Sequence, residues 1–214
     1  LIEDWQPILI VLSIFSMLLG AFSAIGQQNL KRLLAYSSIS HMGFALMGVI
    51  NGSFEGVRSL SLYLLIYLVM SLALFISIIA LKNNDEHIEN IEDISGLAKI
   101  NPVMALIISI LLFSLAGIPP LAGFFAKFYV LYAAIDAKLY YLAIFGVLSS
   151  VISAFYYLRI IKVMYFEESA NSFDPISKRL KTIIYLLTAI TLLFFLRPSI
   201  FINFAGTASA SLFI

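Results

Sequence analysis

Residues 102–135 read PVMALIISILLFSLAGIPPLAGFFAKFYVLYAAI, an apolar segment interrupted at Gly117-Ile118-Pro119-Pro120. A straight helix of this length spans roughly 50 Å, whereas the hydrocarbon core of a bilayer is about 30 Å thick. Each proline removes a backbone donor and the glycine relaxes the chain, so we predict two half-helices. A broken helix at membrane depth is tolerated only where it is buried in protein or lines a wet cavity. The break at Gly117, Pro119 and Pro120 therefore indicates a functional region.

One basic side chain, Lys127, lies in this segment about two helical turns beyond the break. Eight apolar residues separate it from Asp136, so we expect its side chain to be too central to reach the interface easily. Desolvation disfavours the charged form of a buried lysine, which lets the amine take up and release a proton. An ionisable residue inside a membrane is by default a hypothesis of a functional site. The alternative is a lysine that extends to the membrane surface.

The surroundings of Lys127 are predicted from its helix. Gly123 lies one turn earlier on the same face, so we expect it to leave room for water. The first half-helix is expected to end near Ala116, where unpaired carbonyls form a negative dipole end that attracts a cation. The broken segment with its buried lysine thus indicates ion transport.

The composition is that of an integral membrane protein. Hydrophobic residues make up 62% of the 214 residues and the mean hydropathy is +1.02, whereas soluble domains average about 45–50% apolar residues. The net charge of +1 does not indicate nucleic-acid binding, because the basic residues lie in loops between apolar segments. Cysteine is absent and only two histidines occur, which excludes cysteine-ligated iron–sulfur clusters and a pair of bis-histidine haems. We therefore expect no cofactor, no metal and no residue catalysing redox chemistry in this chain.

Hydropathy places six apolar segments, so we predict an all-α polytopic membrane protein with about six transmembrane helices in a single domain, residues 1–214. The predicted ranges are 7–25, 33–50, 60–81, 102–135 with its break, 139–158 and 183–204. A polar, acidic loop over residues 82–101 carries isoleucines spaced three apart: Ile88, Ile91 and Ile94. This pattern favours either a solvated loop with short helical turns on the surface or a docking surface for a neighbouring subunit.

Lysine and arginine are distributed unequally between the two sides of the predicted bundle. With loops 26–32, 82–101 and 159–182 on one side, nine basic residues lie there and three lie opposite. The positive-inside rule assigns the first side to the cytoplasm or mitochondrial matrix, which places both ends of the chain on the outer side. The chain begins Leu-Ile-Glu-Asp-Trp, without an initiator Met or the layout of a signal peptide, so we expect a piece of a longer polypeptide.

A second ionisable residue, His41, lies in the predicted helix 33–50. Ten residues from Lys31 place it roughly 15 Å deep, close to the membrane midplane. The same face carries small and polar residues, which are Ser37, Ser38, Ala45 and Gly48. This face favours either packing of a neighbouring helix around a hydrogen-bonded histidine or a wet face whose imidazole relays protons. Tyr36 lies on another face and favours aromatic packing, whereas Lys31 is explained by membrane topology.

Two motifs carry a resemblance to a known family. Residues 29–43 read NLKRLLAYSSISHMG, and residues 117–130 read GIPPLAGFFAKFYV. Both resemble the antiporter-like membrane subunits of respiratory complex I, NADH:quinone oxidoreductase. The Tyr-Ser-Ser-Ile-Ser-His run together with Lys127 favours the family of subunit N and mitochondrial NADH dehydrogenase subunit 2. The resemblance extends over essentially the whole chain and implies its C-terminal half, which is the second of two inverted five-helix repeats plus the last helix.

The resemblance implies a proton-translocating membrane subunit in a bacterial inner membrane or the mitochondrial inner membrane. Lys127 would end a central hydrophilic axis linked to an outer half-channel, with His41 and Tyr36 along this axis and Lys31 at its inner end. It implies other membrane-arm subunits, the missing first repeat and lipids as partners. NADH, FMN, iron–sulfur clusters and quinone are expected in other subunits.

The predicted spans contain no Asp or Glu. A charge that modulates Lys127 is therefore expected from missing sequence or from another subunit. Two alternatives stay open. Subunits of multi-subunit Na⁺/H⁺ antiporters share this fold, and a scaffold half with an inert Lys127 would have the same sequence pattern.

Overall fold

The computed structural model describes residues 2–83, 85–168 and 173–211. Within these ranges the chain is mainly helical, and five helices are long and apolar enough to cross a bilayer. The helices are α1 (Ile2–Ile25), α2 (Leu30–Ile50), α3 (Phe54–Ala80), α4 (Leu97–Ile100), α5 (Pro102–Ala116), α6 (Ala122–Asp136), α7 (Tyr140–Phe166), α8 (Lys178–Leu193) and α9 (Pro198–Ala210). The prediction of an all-α polytopic membrane protein is confirmed.

The predicted break in the fourth apolar segment lies between α5 and α6. Helix α5 ends at Ala116 and is capped by Gly117. The φ of Gly117 is 89°, a left-handed conformation that glycine adopts without a Cβ penalty. The amides of Gly117 and Ile118 donate to the carbonyls of Ser114 and Phe113 at 2.9 and 3.0 Å. The helix is thereby closed before the two prolines, and α6 starts after Leu121.

Helix α2 lies at the centre of the bundle and packs against α1, α3, α6 and α7. Its contact with α1 is close because a Cβ on Gly43 would collide with the backbone of Ser13 and Met17. The hydroxyl of Ser13 donates to the carbonyl of Gly43 at 2.7 Å across the same interface. The central position of α2 places its polar face inside the protein.

Several helices extend beyond their predicted ranges. Helix α3 begins at Phe54 rather than near residue 60, because the side chain of Ser53 caps it by accepting from the amide of Gly56 at 3.1 Å. Helix α7 continues to Phe166 rather than ending near residue 158. Hydropathy detects only the apolar part of a helix, so polar turns outside the bilayer core were missed.

The predicted helix over residues 183–204 is two helices. Helix α8 starts at Lys178, and the chain leaves the helical conformation at Arg197, where φ is −144° and ψ is 64°. Pro198 causes this interruption, because its ring disfavours the helical conformation in the preceding residue. Pro198 then occupies the first turn of α9, where its missing N–H is tolerated.

The polar segment 82–101 is more ordered than a solvated loop. It contains an antiparallel pair of short strands, β1 (Lys82–Asn83) and β2 (Glu86–His87), followed by a 3₁₀ turn and α4. Its three regularly spaced isoleucines are buried in the core of this chain, so they do not form a docking surface; they are Ile88, Ile91 and Ile94. The amide of Leu30 donates to the carbonyl of Glu89 at 2.7 Å, which ties this segment to the start of α2.

Candidate functional site: a buried lysine beside a histidine–tyrosine network

Lys127 lies inside the bundle with only 4% of its surface exposed. Its Nζ donates to the carbonyl of Ala116 at 3.1 Å and to the hydroxyl of Ser150 at 2.9 Å. Ala116 is the last residue of α5, so its carbonyl belongs to the negative end of that half-helix. The cation expected at this helix end is therefore the ammonium of Lys127 itself.

The break between α5 and α6 brings this carbonyl and this lysine together. A Cβ on Gly117 would lie only 3.0 Å from Cδ of Lys127, so the glycine permits the lysine stem to pass. From α7, Ser150 accepts from Lys127 and donates to the carbonyl of Ala116 at 3.3 Å. Two helices, α5 and α7, thus supply the polar groups around an ammonium that α6 carries.

Gly123 does not leave room for water, and that expectation is wrong. A Cβ at this position would overlap the carbonyl of Ser114, and the amide of Gly123 donates to the hydroxyl of Ser114 at 3.0 Å. The space is occupied because the start of α6 lies directly against the end of α5. Gly123 therefore serves the close approach of the two half-helices.

His41 is also buried, with 4% of its surface exposed. Its Nδ1 is hydrogen-bonded to the hydroxyl of Tyr63 at 2.7 Å, and its Nε2 to that of Tyr157 at 3.0 Å. The hydroxyl of Tyr157 is also hydrogen-bonded to Ser37. The ring of Tyr67 lies against the imidazole at a tilt of 32°, with 4.9 Å between the ring centroids. The hydroxyl of Tyr67 donates to the hydroxyl of Ser38 at 2.8 Å. We call these six residues the His41 network: Ser37, Ser38, His41, Tyr63, Tyr67 and Tyr157.

The two interpretations of the His41 face apply to different parts of it. Gly48, nearer the end of α2, packs against the backbone of Gly56 and Leu60 in α3. The turns around His41 instead carry the hydrogen-bonded network. Helix packing and a polar path are therefore both compatible with the same helix.

Phe44 lies between Lys127 and the His41 network. Its ring centroid is 5.0 Å from Nζ of Lys127, and the ring stacks on Tyr63 with 6.3 Å between centroids. Lys127 and His41 have separate hydrogen-bond partners. The aromatic ring of Phe44 is thus the contact that joins the two polar groups.

Two residues that the resemblance assigned to the axis lie apart from this site. Tyr36 is half-buried and packs against the hydrophobic core, and in the described ranges its hydroxyl makes no hydrogen bond to His41 or Lys127. Lys31 lies at the start of α2 and forms an ion pair with Glu89 at 3.9 Å. Its side chain is 42% exposed, so this pair contributes little to stability.

Tyrosines are the main site residues that the sequence analysis missed. Tyr63, Tyr67 and Tyr157 lie in helices that were recognised only as apolar spans. A buried tyrosine hydroxyl usually needs a hydrogen-bond partner, so four-residue spacing of Tyr63 and Tyr67 inside one span was the available signal. Ser150 gave no comparable signal, because serine is common where membrane helices pack.

Cavities with charged residues in their linings lie at both ends of the bundle. One, of about 350 Å³, includes Glu55, Arg58, Tyr129 and Asp136 in its lining and reaches Leu62, the neighbour of Tyr63. The second, of about 290 Å³, lies at the end that carries the polar segment 82–101. Its lining includes Gln28, Glu92, Arg159, Lys162 and Glu167. Each cavity thus includes a residue near a network tyrosine in sequence, Leu62 beside Tyr63 and Arg159 two residues after Tyr157.

The charges near Lys127 are few. Among residues 2–83, 85–168 and 173–211, no acidic side chain forms an ion pair with Lys127, and no group of three or more His, Cys, Asp or Glu could hold a metal ion. The ammonium is held by a carbonyl, a hydroxyl and an aromatic ring. The amine of Lys127 can hold a proton and share it with the hydroxyl of Ser150, whereas its contact toward His41 is the ring of Phe44.

Comparison with known proteins identifies the family of this chain. Residues 1–153 match the family model described as NADH:quinone oxidoreductase/Mrp antiporter, TM. NADH-quinone oxidoreductase subunit N 1 of Rhizobium meliloti (strain 1021) is 57% identical over 183 residues, which are 85% of this chain and 38% of that protein. The chain therefore spans about two fifths of the length of this curated relative.

Solved structures have the same fold. A chain of respiratory complex I from Thermus thermophilus with bound aureothin has a TM-score of 0.82 and 26% identity, covering 92% of this chain and 45% of that chain. A chain of the Mrp complex from Dietzia sp. DQ12-45-1b has a TM-score of 0.85 at 24% identity, covering 96% and 47%, and shows the fold alone. Since the family model covers more than half of its residues, this chain belongs to the NADH:quinone oxidoreductase/Mrp antiporter family of membrane proteins.

Proposed function

We propose that this chain is the C-terminal half of subunit N of an NADH:quinone oxidoreductase and translocates protons through Lys127. The observation that carries the proposal is the buried ammonium of Lys127, bound to the carbonyl end of a broken helix and joined through Phe44 to the His41 network. The name and 57% identity of the Rhizobium meliloti relative support the same function.

The proposed cycle alternates between loading and release of one proton. A positive charge arriving on a neighbouring group disfavours the ammonium form, so Lys127 releases its proton. The cavity lined by Tyr129 and Asp136 lies at the end of α6 and would receive it. When the charge withdraws, the amine is reloaded from the opposite end of the bundle.

The reloading path uses the His41 network. A proton would enter the cavity lined by Arg159 and Glu167, continue through Tyr157, and reach His41. The last transfer, from His41 to Lys127, would pass through water beside the ring of Phe44, because no hydrogen bond in the described part of the chain joins the two groups directly. An imidazole hydrogen-bonded through both nitrogens can accept a proton on one side while it donates from the other. In this proposal Tyr36 packs beside the proton path, and Lys31 lies at the inner entrance of that path.

Other subunits would complete the enzyme. The chain contributes a proton step to a translocase, while NADH, FMN, iron–sulfur clusters and quinone would be bound by its partners. The charge that acts on Lys127 would come from the first repeat or an adjacent membrane-arm subunit. The positive-inside rule places the end with Lys31 in the cytoplasm or matrix and both chain ends outside.

The test is Lys127→Ala in the complete, assembled oxidoreductase in membrane vesicles. We expect the number of protons pumped per electron to fall while NADH oxidation by an artificial acceptor continues, because that reaction needs no membrane subunit of this kind. Lys99→Ala is the matched control, since Lys99 is exposed in α4. An unchanged proton-to-electron ratio in Lys127→Ala would overturn the proposal.

A sodium–proton antiporter subunit is the second candidate, because the Mrp chain has the same fold. The two functions differ in their dependence on sodium. Proton movement by the assembled oxidoreductase should be the same in sodium and in potassium media. Proton movement that requires sodium would favour the antiporter, whereas an inert Lys127 would favour the scaffold alternative.

A further inference from the structure

The ammonium of Lys127 has an aromatic partner in addition to its hydrogen bonds. Two of its contacts, with Ala116 and Ser150, are hydrogen bonds. The third is the face of Phe44, whose ring centroid is 5.0 Å from Nζ. A cation at this distance from a ring is attracted by the negative charge of the π face, most strongly where water is excluded.

The ring of Phe44 is held in place by its surroundings. Only 1% of its surface is exposed, and it stacks on Tyr63 with planes 11° apart. Gly146 of α7 lies close to the ring, and a Cβ there would be 3.5 Å from it. Phe44 is on α2, one turn from His41, so the same helix positions both rings.

We propose that the π face of Phe44 is a ligand of the Lys127 ammonium and that it sets how firmly Lys127 retains its proton. This inference rests on the proposed function. The attraction exists only in the protonated state, because a neutral amine has no charge for the ring to bind. Loading Lys127 therefore creates the attraction to the ring, and proton release removes it. Phe44, held in place against Tyr63, is thus a positioning residue that stabilises the protonated form of Lys127.

An aromatic ligand suits an amine that must release its proton in each cycle. A buried carboxylate partner would hold the ammonium in an ion pair, and breaking a buried pair is strongly unfavourable. The ring stabilises the cation more weakly and without a charge of its own. A modest charge from a neighbouring subunit is then sufficient to displace the proton.

The experiment replaces Phe44 with mono-, di- and trifluorinated phenylalanine in the assembled oxidoreductase. Each fluorine withdraws electron density from the π face and changes the size of the ring little. We expect proton pumping at alkaline pH to decline stepwise, with the alkaline limb of its pH profile moving to lower pH by about one unit for the trifluoro ring. Phe44→Leu should resemble the trifluoro protein, because it also removes the π face.

The matched control is the same fluorinated series at Phe194. This side chain is also buried, but it packs against the rings of Phe125 and Phe201. A flat response at Phe44, or an equal response at Phe194, would overturn the inference. If Lys127→Ala still lowers the number of protons pumped per electron in those cases, the proposed function stands and only the role of the ring is lost.

Discussion

His41 has a hydrogen-bond partner on each ring nitrogen, and both partners are tyrosine hydroxyls. A neutral imidazole donates from one nitrogen and accepts at the other, whereas the protonated ring donates from both. A tyrosine hydroxyl can take either part by rotating its proton. The network around His41 therefore accommodates an added proton by reorienting hydroxyl groups, without breaking its contacts.

Adjacent tyrosines in α7 allow a sharp test of this network. Tyr157→Phe removes the partner of His41 Nε2 and of Ser37. We expect slower proton pumping and a loss of stability of about 1–3 kcal/mol, because a buried polar group is left unsatisfied. The measurements are pumping by the assembled complex in vesicles and its thermal midpoint.

Tyr156→Phe is the control for this substitution. The hydroxyl of Tyr156 is buried and has no hydrogen-bond partner within the described parts of the chain. Its removal should affect pumping and the thermal midpoint less than Tyr157→Phe, because among the residues that the structure describes Tyr156 has no hydrogen bond to His41. Equal losses in both variants would show that tyrosine packing, and not the His41 hydrogen bond, matters.

The two ionisable residues of the site could be predicted from the sequence, but their partners could not. Lys127 and His41 are charged or titratable side chains inside apolar segments, and that contrast is visible in a linear sequence. Phe44 and Ser150 look like ordinary membrane-helix residues. Their roles depend on which helices pack together, since Lys127, Phe44 and Ser150 come from α6, α2 and α7.

At the scale of the element, the broken helix depends on one close contact. Gly123→Ala would place a Cβ on the carbonyl of Ser114, so α6 would be displaced from the end of α5. We expect a loss of about 1–3 kcal/mol in stability, typical of overpacking, and a weaker contact between Lys127 and Ala116. Less assembled complex and a lower thermal midpoint are the measured outcomes.

Gly26→Ala provides the matched control, because no atom lies within 4 Å of a Cβ at that position. This variant should assemble and melt like the unchanged protein. If Gly123→Ala also melts normally, the two half-helices tolerate more separation than the structure implies.

Some helix boundaries are marked in the sequence by residues that interrupt a helix, and others are not. The break after Ala116 was predictable because Gly117, Pro119 and Pro120 cannot continue a helix. The polar extension of α7 to Phe166 was not, since hydropathy follows the bilayer rather than the helix. Pro198 marked the split between α8 and α9, but an apolar sequence on both sides obscured it.

At the scale of the whole molecule, the exterior and interior have opposite chemistry. Large apolar side chains on α1 face outward, including Ile8, Phe15, Leu19 and Phe22. The interior contains Lys127 and the His41 network, and a cavity with charged residues in its lining lies toward each end. Such an arrangement, apolar outside and ionisable inside, is typical of membrane proteins whose interior residues have a function.

The orientation of the bundle and the access to its cavities can be tested together, because the chain has no native cysteine. The substitution Glu55→Cys places a thiol in the lining of one cavity, and Lys162→Cys places one in the lining of the other. With a membrane-impermeant maleimide, we expect Glu55→Cys to react only from the outer side and Lys162→Cys only from the inner side. Val130→Cys, which is buried, should react from neither. Labelling of this subunit is read by mass spectrometry in sealed vesicles of each orientation, and the reverse pattern would invert the proposed direction of proton release.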